Sequence, residues 1–201
     1  MLTYLALGDS YTIGEQVPAE DNFPHQAAKL LREQYHTPVS DPKIIAVTGW
    51  TTDELEAGIK AEQLQDTYDF VTLLIGVNNQ YRNRDTANYR EEFTALLDKA
   101  IRFANGHPAK VFVLSIPDWG VTPFAEGKDR REIATQIDRY NDVNREIAAA
   151  HHCPYIDITP VSRQQGTDLS FLVEDKLHYS GKAYKVWAEL LAPLVANAFK
   201  D

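Results

Sequence analysis

Cysteine is almost absent from this chain of 201 residues, which contains only Cys153. One thiol excludes an internal disulfide and any metal site built from several cysteines. Long apolar runs are also missing. The longest mostly apolar stretch, Phe70 to Val77, is far shorter than the roughly 20 residues that span a bilayer. Gly8 and Asp9 interrupt the first apolar run, so we predict no signal peptide, no membrane span and a cytoplasmic location.

Positive charge is scarce relative to negative charge. Lys and Arg number 20 and Asp and Glu number 29, which gives a formal net charge of −9. Because an acidic chain repels a phosphate backbone, no nucleic-acid partner is expected. Hydrophobic residues make up 44% and charged residues 24%, which is the balance of a soluble globular protein. No repeat or linker divides the chain, so we predict a single domain over residues 1–201.

Apolar runs rich in β-branched residues alternate with segments of helical period. These runs are almost continuously apolar, which is typical of strands buried on both faces. The alternation therefore predicts an α/β fold, with a parallel sheet covered by helices on both sides. The predicted strands are Leu2–Leu7, Lys43–Val47, Asp69–Ile75, Lys110–Ser115 and Pro154–Ile158.

Five apolar stripes recur at the three-to-four spacing of one helix face. The clearest runs from Tyr89 to Ala104, with Asp85 as its N-cap and Asn105-Gly106 at its end. A long irregular stretch from Ile116 to Gly127 has the length of a functional loop. The other stripes run from Phe23 to Tyr35, Leu55 to Leu64, Ile133 to Ile147 and Tyr184 to Ala198.

Small and polar residues follow the predicted strands, where ligands of parallel sheets bind. Ser10 follows the first strand and could act as a nucleophile if a base took its proton. His178 is the best base among the six histidines, and Asp175 is close enough in a turn to hold one of its ring nitrogens. The Ser10 and Gly49 N–H groups and the Asn78 amide are candidate donors to an oxyanion. Each motif alone also fits an ordinary turn, a surface ion pair or a helix start.

Together, four motifs in this order make the sequence similar to the SGNH hydrolases, also called the GDSL esterase/lipase family. The resemblance implies a three-layer α/β/α sandwich with a five-stranded parallel sheet in flavodoxin-like order. It implies that Ser10 is the nucleophile, His178 the base and Asp175 its orienting group. Ser10, Gly49 and Asn78 would form the oxyanion hole, with no metal and no cofactor. The four motifs are Gly8-Asp9-Ser10, the Gly49 segment ending in Thr51-Thr52, Gly76-x-Asn78 and Asp175-x-x-His178.

Two positions depart from the family pattern. Tyr11 stands where the family name has Leu, and Asn79 stands where Asp usually follows the oxyanion Asn. An amide accepts weaker hydrogen bonds than a carboxylate but can also donate. If the loop offers two donors to residue 79, Asn79→Asp should be tolerated and should raise turnover severalfold. We favour the other case, in which Asn79 donates to a carbonyl and Asn79→Asp lowers stability or turnover. The residues predicted to line the substrate site are Tyr11, Trp50, Asn79 and Trp119.

These residues predict a serine ester hydrolase that works through an acyl-enzyme. No apolar insertion provides a lid or tunnel, which favours short acyl groups such as the O-acetyl esters of carbohydrates. The predicted partner is thus a small-molecule or glycan ester. A lysophospholipase or thioesterase on longer chains is an alternative. A flavin- or phosphate-binding module of flavodoxin type, with Ser10, Thr12 and Gly14 as its cradle, is a distant one.

Two further groups could carry a function. His151, His152 and Cys153 resemble a metal cluster, but the end of a helix running into a strand is the favoured interpretation. Arg82 and Arg84 follow the third strand and could meet an anionic or glycan substrate. Solvated loop charges are the simpler interpretation of these two arginines.

Overall fold

A computed structural model describes residues 1–200 and contains one five-stranded parallel sheet. The strand order is β2-β1-β3-β4-β5, which confirms the predicted flavodoxin-like fold. All five predicted strands are present, although their ends differ. Leu2, for example, lies outside the first strand and forms an isolated bridge with Val39. The strands are β1 (Tyr4–Gly8), β2 (Lys43–Ala46), β3 (Phe70–Leu74), β4 (Val111–Leu114) and β5 (Tyr155–Ile156).

Helices cover both faces of the sheet. Right-handed crossovers place the β1–β2 helix on one face and the later connecting helices on the other. Accordingly α2 packs with α8, while α5 packs between α3 and α6. Among residues 1–200, no helix is both long and apolar enough to cross a membrane. The helices are α1 (Ser10–Ile13), α2 (Phe23–Glu33), α3 (Thr52–Ala61), α4 (Val77–Tyr81), α5 (Thr86–Phe103), α6 (Arg130–Ala150), α7 (Thr159–Gln165) and α8 (Gly181–Ala198).

The core lies on both sides of the central strands, since every residue of β1, β3 and β4 is buried. Some stripe residues fall outside it. Leu190 and Leu194 lie on the solvent side of α8, 40% and 39% exposed. Tyr35 and Leu64 follow the ends of α2 and α3 rather than lying within them. The apolar spacing thus located the five longest helices, but it extended past the ends of α2 and α3 and overestimated the buried face of α8.

The 116–127 segment has regular turns and is tied to the rest of the structure by hydrogen bonds. It forms two short 3₁₀ turns, Trp119–Val121 and Pro123–Ala125. The buried carboxylate of Asp118 accepts hydrogen bonds from Gly120 N at 2.8 Å and from Arg163 Nε at 2.9 Å. These bonds hold the segment over the carboxyl ends of the strands.

Candidate active site

Ser10 begins α1 directly after β1. The first turn of α1 comes so close to β1 that a Cβ at Gly8 would overlap Thr12 Oγ1 and lie 2.6 Å from Leu74 O. A glycine is therefore required where the strand turns into the helix. Asp9 caps the helix, with its Oδ1 accepting from Tyr11 N at 3.0 Å. Ser10 is 3% exposed, and its hydroxyl faces the base described next.

Asp175, His178 and Ser10 form a continuous chain of hydrogen bonds. Asp175 Oδ2 lies 2.6 Å from His178 Nδ1, and His178 Nε2 lies 3.0 Å from Ser10 Oγ. Asp175 Oδ1 also accepts from the N–H groups of Leu177 and His178, each at 2.9 Å. The carboxylate thus fixes both the turn and the imidazole. This is the arrangement that activates a serine hydroxyl in acyl-transfer enzymes.

The surroundings of this chain keep Asp175 charged. Burial opposes ionisation, but hydrogen bonds from the His178 ring and from the backbone N–H groups of His178 and Leu177 outweigh it. They hold the pKa of Asp175 below its usual value. The Tyr11 ring packs against the His178 ring, with centroids 5.6 Å apart. A charged carboxylate on one nitrogen favours the tautomer in which the other nitrogen can accept the serine proton.

Three residues that line the cavity beside Ser10 each carry a hydrogen-bond donor that is free to bind a ligand. Ser10 is the first residue of α1, so its N–H has no partner within the helix. The Gly49 N–H donates to no backbone acceptor within residues 1–200, and the positive φ of +87° at Gly49 is one that glycine adopts without strain. Asn78 Nδ2 donates one hydrogen to Trp50 O at 3.0 Å, which leaves its second hydrogen free. Donors of this kind can stabilise an oxyanion.

Ser10, Gly49, Asn78 and His178 open onto one cavity of about 190 Å³. Its volume is below the roughly 300–1,000 Å³ of sites for drug-sized ligands. An aromatic cluster forms one wall, since Tyr81 and Trp119 lie 5.2 Å apart and Phe124 lies 6.0 Å from Trp119 between ring centroids. The cavity therefore has a polar side beside Ser10 and an apolar side away from it. The other lining residues are Tyr11, Thr48, Val77 and Leu177.

Two of the four predicted lining residues lie elsewhere. Tyr11 and Trp119 line the cavity, but Trp50 and Asn79 do not. The Trp50 ring lies over Gly58 of α3, where an added Cβ would overlap the ring. Asn79 is fully buried behind the site. Sequence reasoning missed Thr48, Val77, Tyr81, Phe124 and Leu177, although all but Phe124 lie within or close beside a motif.

Comparison with known proteins identifies the family of the chain. The sequence pattern of the GDSL-like lipase/acylhydrolase family matches residues 6–186. The chain belongs to this family. It is accordingly a carboxylic ester hydrolase, as the sequence predicted. No curated protein matches the chain.

Several solved structures share the fold. A lipase/acylhydrolase from Enterococcus faecalis is 23% identical with a TM-score of 0.78, covering 100% of this chain and 98% of that one. TesA is 18% identical with a TM-score of 0.76, covering 98% and 99%. Axe2, an acetylxylan esterase from Geobacillus stearothermophilus, is 18% identical with a TM-score of 0.71, covering 96% and 94%. At these identities the likeness concerns the fold alone.

Asn79, where this member of the GDSL-like family departs from its pattern, joins α4 to the start of α3. Its Oδ1 accepts from Thr52 N at 3.1 Å, and its Nδ2 donates to Thr52 Oγ1 at 2.6 Å. The expectation that this amide donates to a carbonyl is therefore wrong. The acceptor is a hydroxyl, and that hydroxyl gives its own proton to Glu92 Oε2.

We expect Asn79→Asp to lower stability by roughly 1–3 kcal/mol, which is a drop of several degrees in Tm. The new carboxylate would be fully buried, and the single Thr52 proton could serve only one of two carboxylates. Thermal unfolding of Asn79→Asp beside wild type measures this. In a Glu92→Gln background the loss should shrink, because the second charge is gone. An Asn79→Asp protein as stable as wild type would contradict the interpretation.

Asp9, directly before Ser10, is a fully buried acid. Its Oδ2 has no hydrogen-bond partner within residues 1–200. Burial raises its pKa to about 7, although the Tyr11 N–H opposes the shift. Because the folded pKa lies above the unfolded one, the folded state binds an extra proton between these values. Stability contributed by this group is therefore complete below about pH 4 and falls as pH rises to about 7.

We expect Asp9→Asn to remove this dependence. Between pH 4.5 and pH 7.5 the Tm of wild type should fall by about 5 °C relative to the Tm of Asp9→Asn. Other groups titrate equally in both proteins, so the difference isolates Asp9. Melting curves that move in parallel over this range would show that Asp9 does not titrate there.

The residues His151, His152 and Cys153 lie at the end of α6 and in the turn before β5. His151 Nδ1 bonds to Ile147 O at 2.8 Å, and its Nε2 lies 3.2 Å from an Asp98 oxygen. Burial raises the pKa of the Cys153 thiol to about 12. Within residues 1–200 no three His, Cys, Asp or Glu side chains are arranged to hold a metal ion.

Proposed function

We propose that Ser10 is the nucleophile of this ester hydrolase, with His178 as its base and Asp175 as the orienting group. The observation that carries the proposal is the chain of contacts from Asp175 Oδ2 to His178 Nδ1 at 2.6 Å and from His178 Nε2 to Ser10 Oγ at 3.0 Å. This chain ends at a cavity lined by Ser10, Gly49 and Asn78, the three residues that carry free donors. The flavin alternative leaves the Asp175–His178 pair without a role.

In this mechanism Ser10 Oγ attacks the ester carbonyl as its proton passes to His178 Nε2. The negative charge that develops on the carbonyl oxygen is stabilised by Ser10 N–H, Gly49 N–H and Asn78 Nδ2. The imidazolium then protonates the leaving alkoxide, which leaves an acyl group on Ser10. His178 next takes a proton from water, the hydroxide attacks the acyl group, and the acid departs as Ser10 recovers its proton.

For the substrate we propose an ester with a short acyl group, such as an O-acetylated carbohydrate. The support is the size of the cavity, about 190 Å³, and the aromatic wall that limits it. An acetylxylan esterase shares the fold at 18% identity, which is evidence of the fold and not of the substrate. A lysophospholipase or thioesterase remains the alternative. It would need a longer apolar channel than the one bounded by Trp119.

A panel of p-nitrophenyl esters from acetate to palmitate, beside acetate release from acetylated xylo-oligosaccharides, tests this proposal. We expect kcat/KM to be highest for acetate to butyrate and to fall by about 10²-fold or more at laurate, since methylenes that find no pocket add no binding energy. Highest activity on laurate or palmitate would favour the alternative. No ester hydrolysis at all would refute the proposal.

Trp119 and Tyr81 also line a second cavity, of about 400 Å³. Its indole Nε1 donates to Gln80 Oε1 at 2.8 Å, which fixes the ring. We therefore expect Trp119→Leu to join the two cavities and to raise the ratio of octanoate to acetate turnover by about tenfold. Trp119→Phe keeps a ring in place and is the matched control. An unchanged ratio in Trp119→Leu would show that another wall limits the acyl group.

A further inference from the structure

Four successive main-chain positions after β2 are each held by a side chain. The Gly49 carbonyl accepts from Arg82 Nη2 at 2.7 Å, and the Trp50 carbonyl accepts from Asn78 Nδ2 at 3.0 Å. The Thr51 N–H donates to Glu54 Oε2 at 2.9 Å, and the Thr52 N–H donates to Asn79 Oδ1 at 3.1 Å. Three of the four side chains come from α4 and the residue that ends it. The segment that supplies Gly49 is thus shaped by the helix that supplies Asn78.

Arg82 makes two hydrogen bonds at once through its guanidinium group. While Nη2 bonds to the Gly49 carbonyl, Nη1 lies 2.9 Å from Glu54 Oε1. Its own N–H donates to Asn78 O at 3.0 Å, so it ends the helix that carries Asn78. The hydrogen bonds from Arg82 and from Thr51 N hold the pKa of Glu54 below its usual value. The two residues therefore form a charged pair that spans the two segments.

Gly49 needs such a restraint. A Cβ at Gly49 would meet only one atom within 4 Å, Arg82 Nη2 at 3.9 Å. Gly49 has a positive φ and little packing around its α-carbon. The peptide group that follows it is held by two hydrogen bonds, one from Trp50 N to Val47 O at 3.2 Å and one to the Gly49 carbonyl. Arg82 supplies the second of these bonds. Arg82 does not line the cavity. Its side chain is 43% exposed, as expected of a solvated charge, but it also bonds to the backbone of another segment.

We propose that Arg82 is a positioning residue for the oxyanion hole. It locks the Gly49 N–H and the Asn78 amide into one geometry by tying the Gly49 carbonyl to the end of the Asn78 helix. This inference rests on the proposed roles of Gly49 and Asn78. Because Arg82 makes no contact with the reacting atoms, its effect is on the alignment of the donors. Displacements of about 1 Å in such groups cost up to about 10²-fold in rate.

The test is the kinetics of Arg82→Met and Arg82→Lys with p-nitrophenyl acetate. We expect kcat to fall about 10- to 100-fold in Arg82→Met, with KM within about twofold of wild type, because the lost alignment matters in the transition state. Arg82→Lys keeps the charge but cannot make both bonds, so its kcat should lie between those of wild type and Arg82→Met. Inhibition by a small alkylboronic acid, which forms a tetrahedral adduct on serine, should weaken in parallel with kcat.

Arg90→Ala is the matched control. Arg90 and Glu146 form an exposed ion pair at 2.6 Å between α5 and α6, and neither lines the cavity. This variant should keep wild-type kcat and boronate affinity. A raised KM with unchanged kcat in both Arg82 variants would instead place Arg82 at the substrate, and wild-type kinetics in both would remove it from the site. Ser10→Ala separates these results from a failure of the proposed mechanism, because it tests the nucleophile alone.

Discussion

Ser10→Ala will fold like wild type and hydrolyse p-nitrophenyl acetate at least about 10⁴-fold more slowly. The Ser10 hydroxyl has one partner within residues 1–200, His178 Nε2 at 3.0 Å. The helix that begins at Ser10 is capped by Asp9, so it does not depend on the hydroxyl. The substitution therefore removes the proposed nucleophile and leaves the turn intact. Turnover numbers, Tm and circular dichroism of the two proteins measure the effect.

Ser40→Ala is a suitable control for this experiment, because Ser40 lies outside the four motifs and does not line the cavity. It should retain wild-type turnover. If a folded Ser10→Ala protein keeps turnover within about tenfold of wild type, hydrolysis does not pass through an acyl-Ser10 intermediate. Mass spectrometry after mixing with an activated ester gives an independent check. Wild type should gain one acyl group and Ser10→Ala none.

Asp175→Asn is expected to lower kcat by about 10³- to 10⁴-fold. One oxygen of Asp175 holds two backbone N–H groups and the other holds His178 Nδ1. An Asn that keeps the backbone bonds must turn its NH₂ towards Nδ1, which forces the ring proton onto Nε2. The imidazole could then no longer accept the Ser10 proton. In the opposite orientation the NH₂ group would face the N–H groups of Leu177 and His178, and the hydrogen bonds that form the turn would be lost.

The control is Asp168→Asn. Asp168 makes a similar local bond, from Ser170 N at 2.8 Å, in the same part of the chain but without a histidine. We expect this variant to keep its turnover. A loss below about tenfold in Asp175→Asn would show that the imidazole finds its tautomer without the carboxylate. The Tm of both variants must be measured, because the Asp175 turn also orders the backbone.

The positions of the strands and of the four motifs could be predicted from the sequence because both are local patterns, whereas the strand order was implied by the resemblance to the SGNH hydrolases. Five apolar runs marked the strands. In a parallel sheet the residue after each strand must lie at the same edge, so Ser10, Gly49 and Asn78 could be placed together before any contact was known. The Asp175–His178 pair needed only a turn, and Asp175 Oδ1 makes that turn by accepting from the backbone N–H groups of Leu177 and His178.

Side-chain directions could not be predicted in this way. Trp50 follows β2 as directly as Gly49 does, yet its ring turns away and packs on Gly58, where the absence of a Cβ leaves space for it. Asn79 and Arg82 act on the backbone of another segment, 27 and 33 residues away in the sequence. The short helices α1, α4 and α7 have four to seven residues, too few to show a helical period. These features depend on packing between segments.

Because the site spans three neighbouring strands, the recovery of enzyme activity during refolding reports when these strands have paired. Ser10, Gly49 and Asn78 become neighbours only when β1, β2 and β3 have paired, and His178 joins Ser10 across 168 positions of sequence. Such distant pairings close slowly because the chain must first lose the entropy of a long loop. During refolding, helical signal therefore returns before hydrolysis does. A substitution that slows the arrival of the His178 turn lengthens that delay while leaving the final turnover number unchanged.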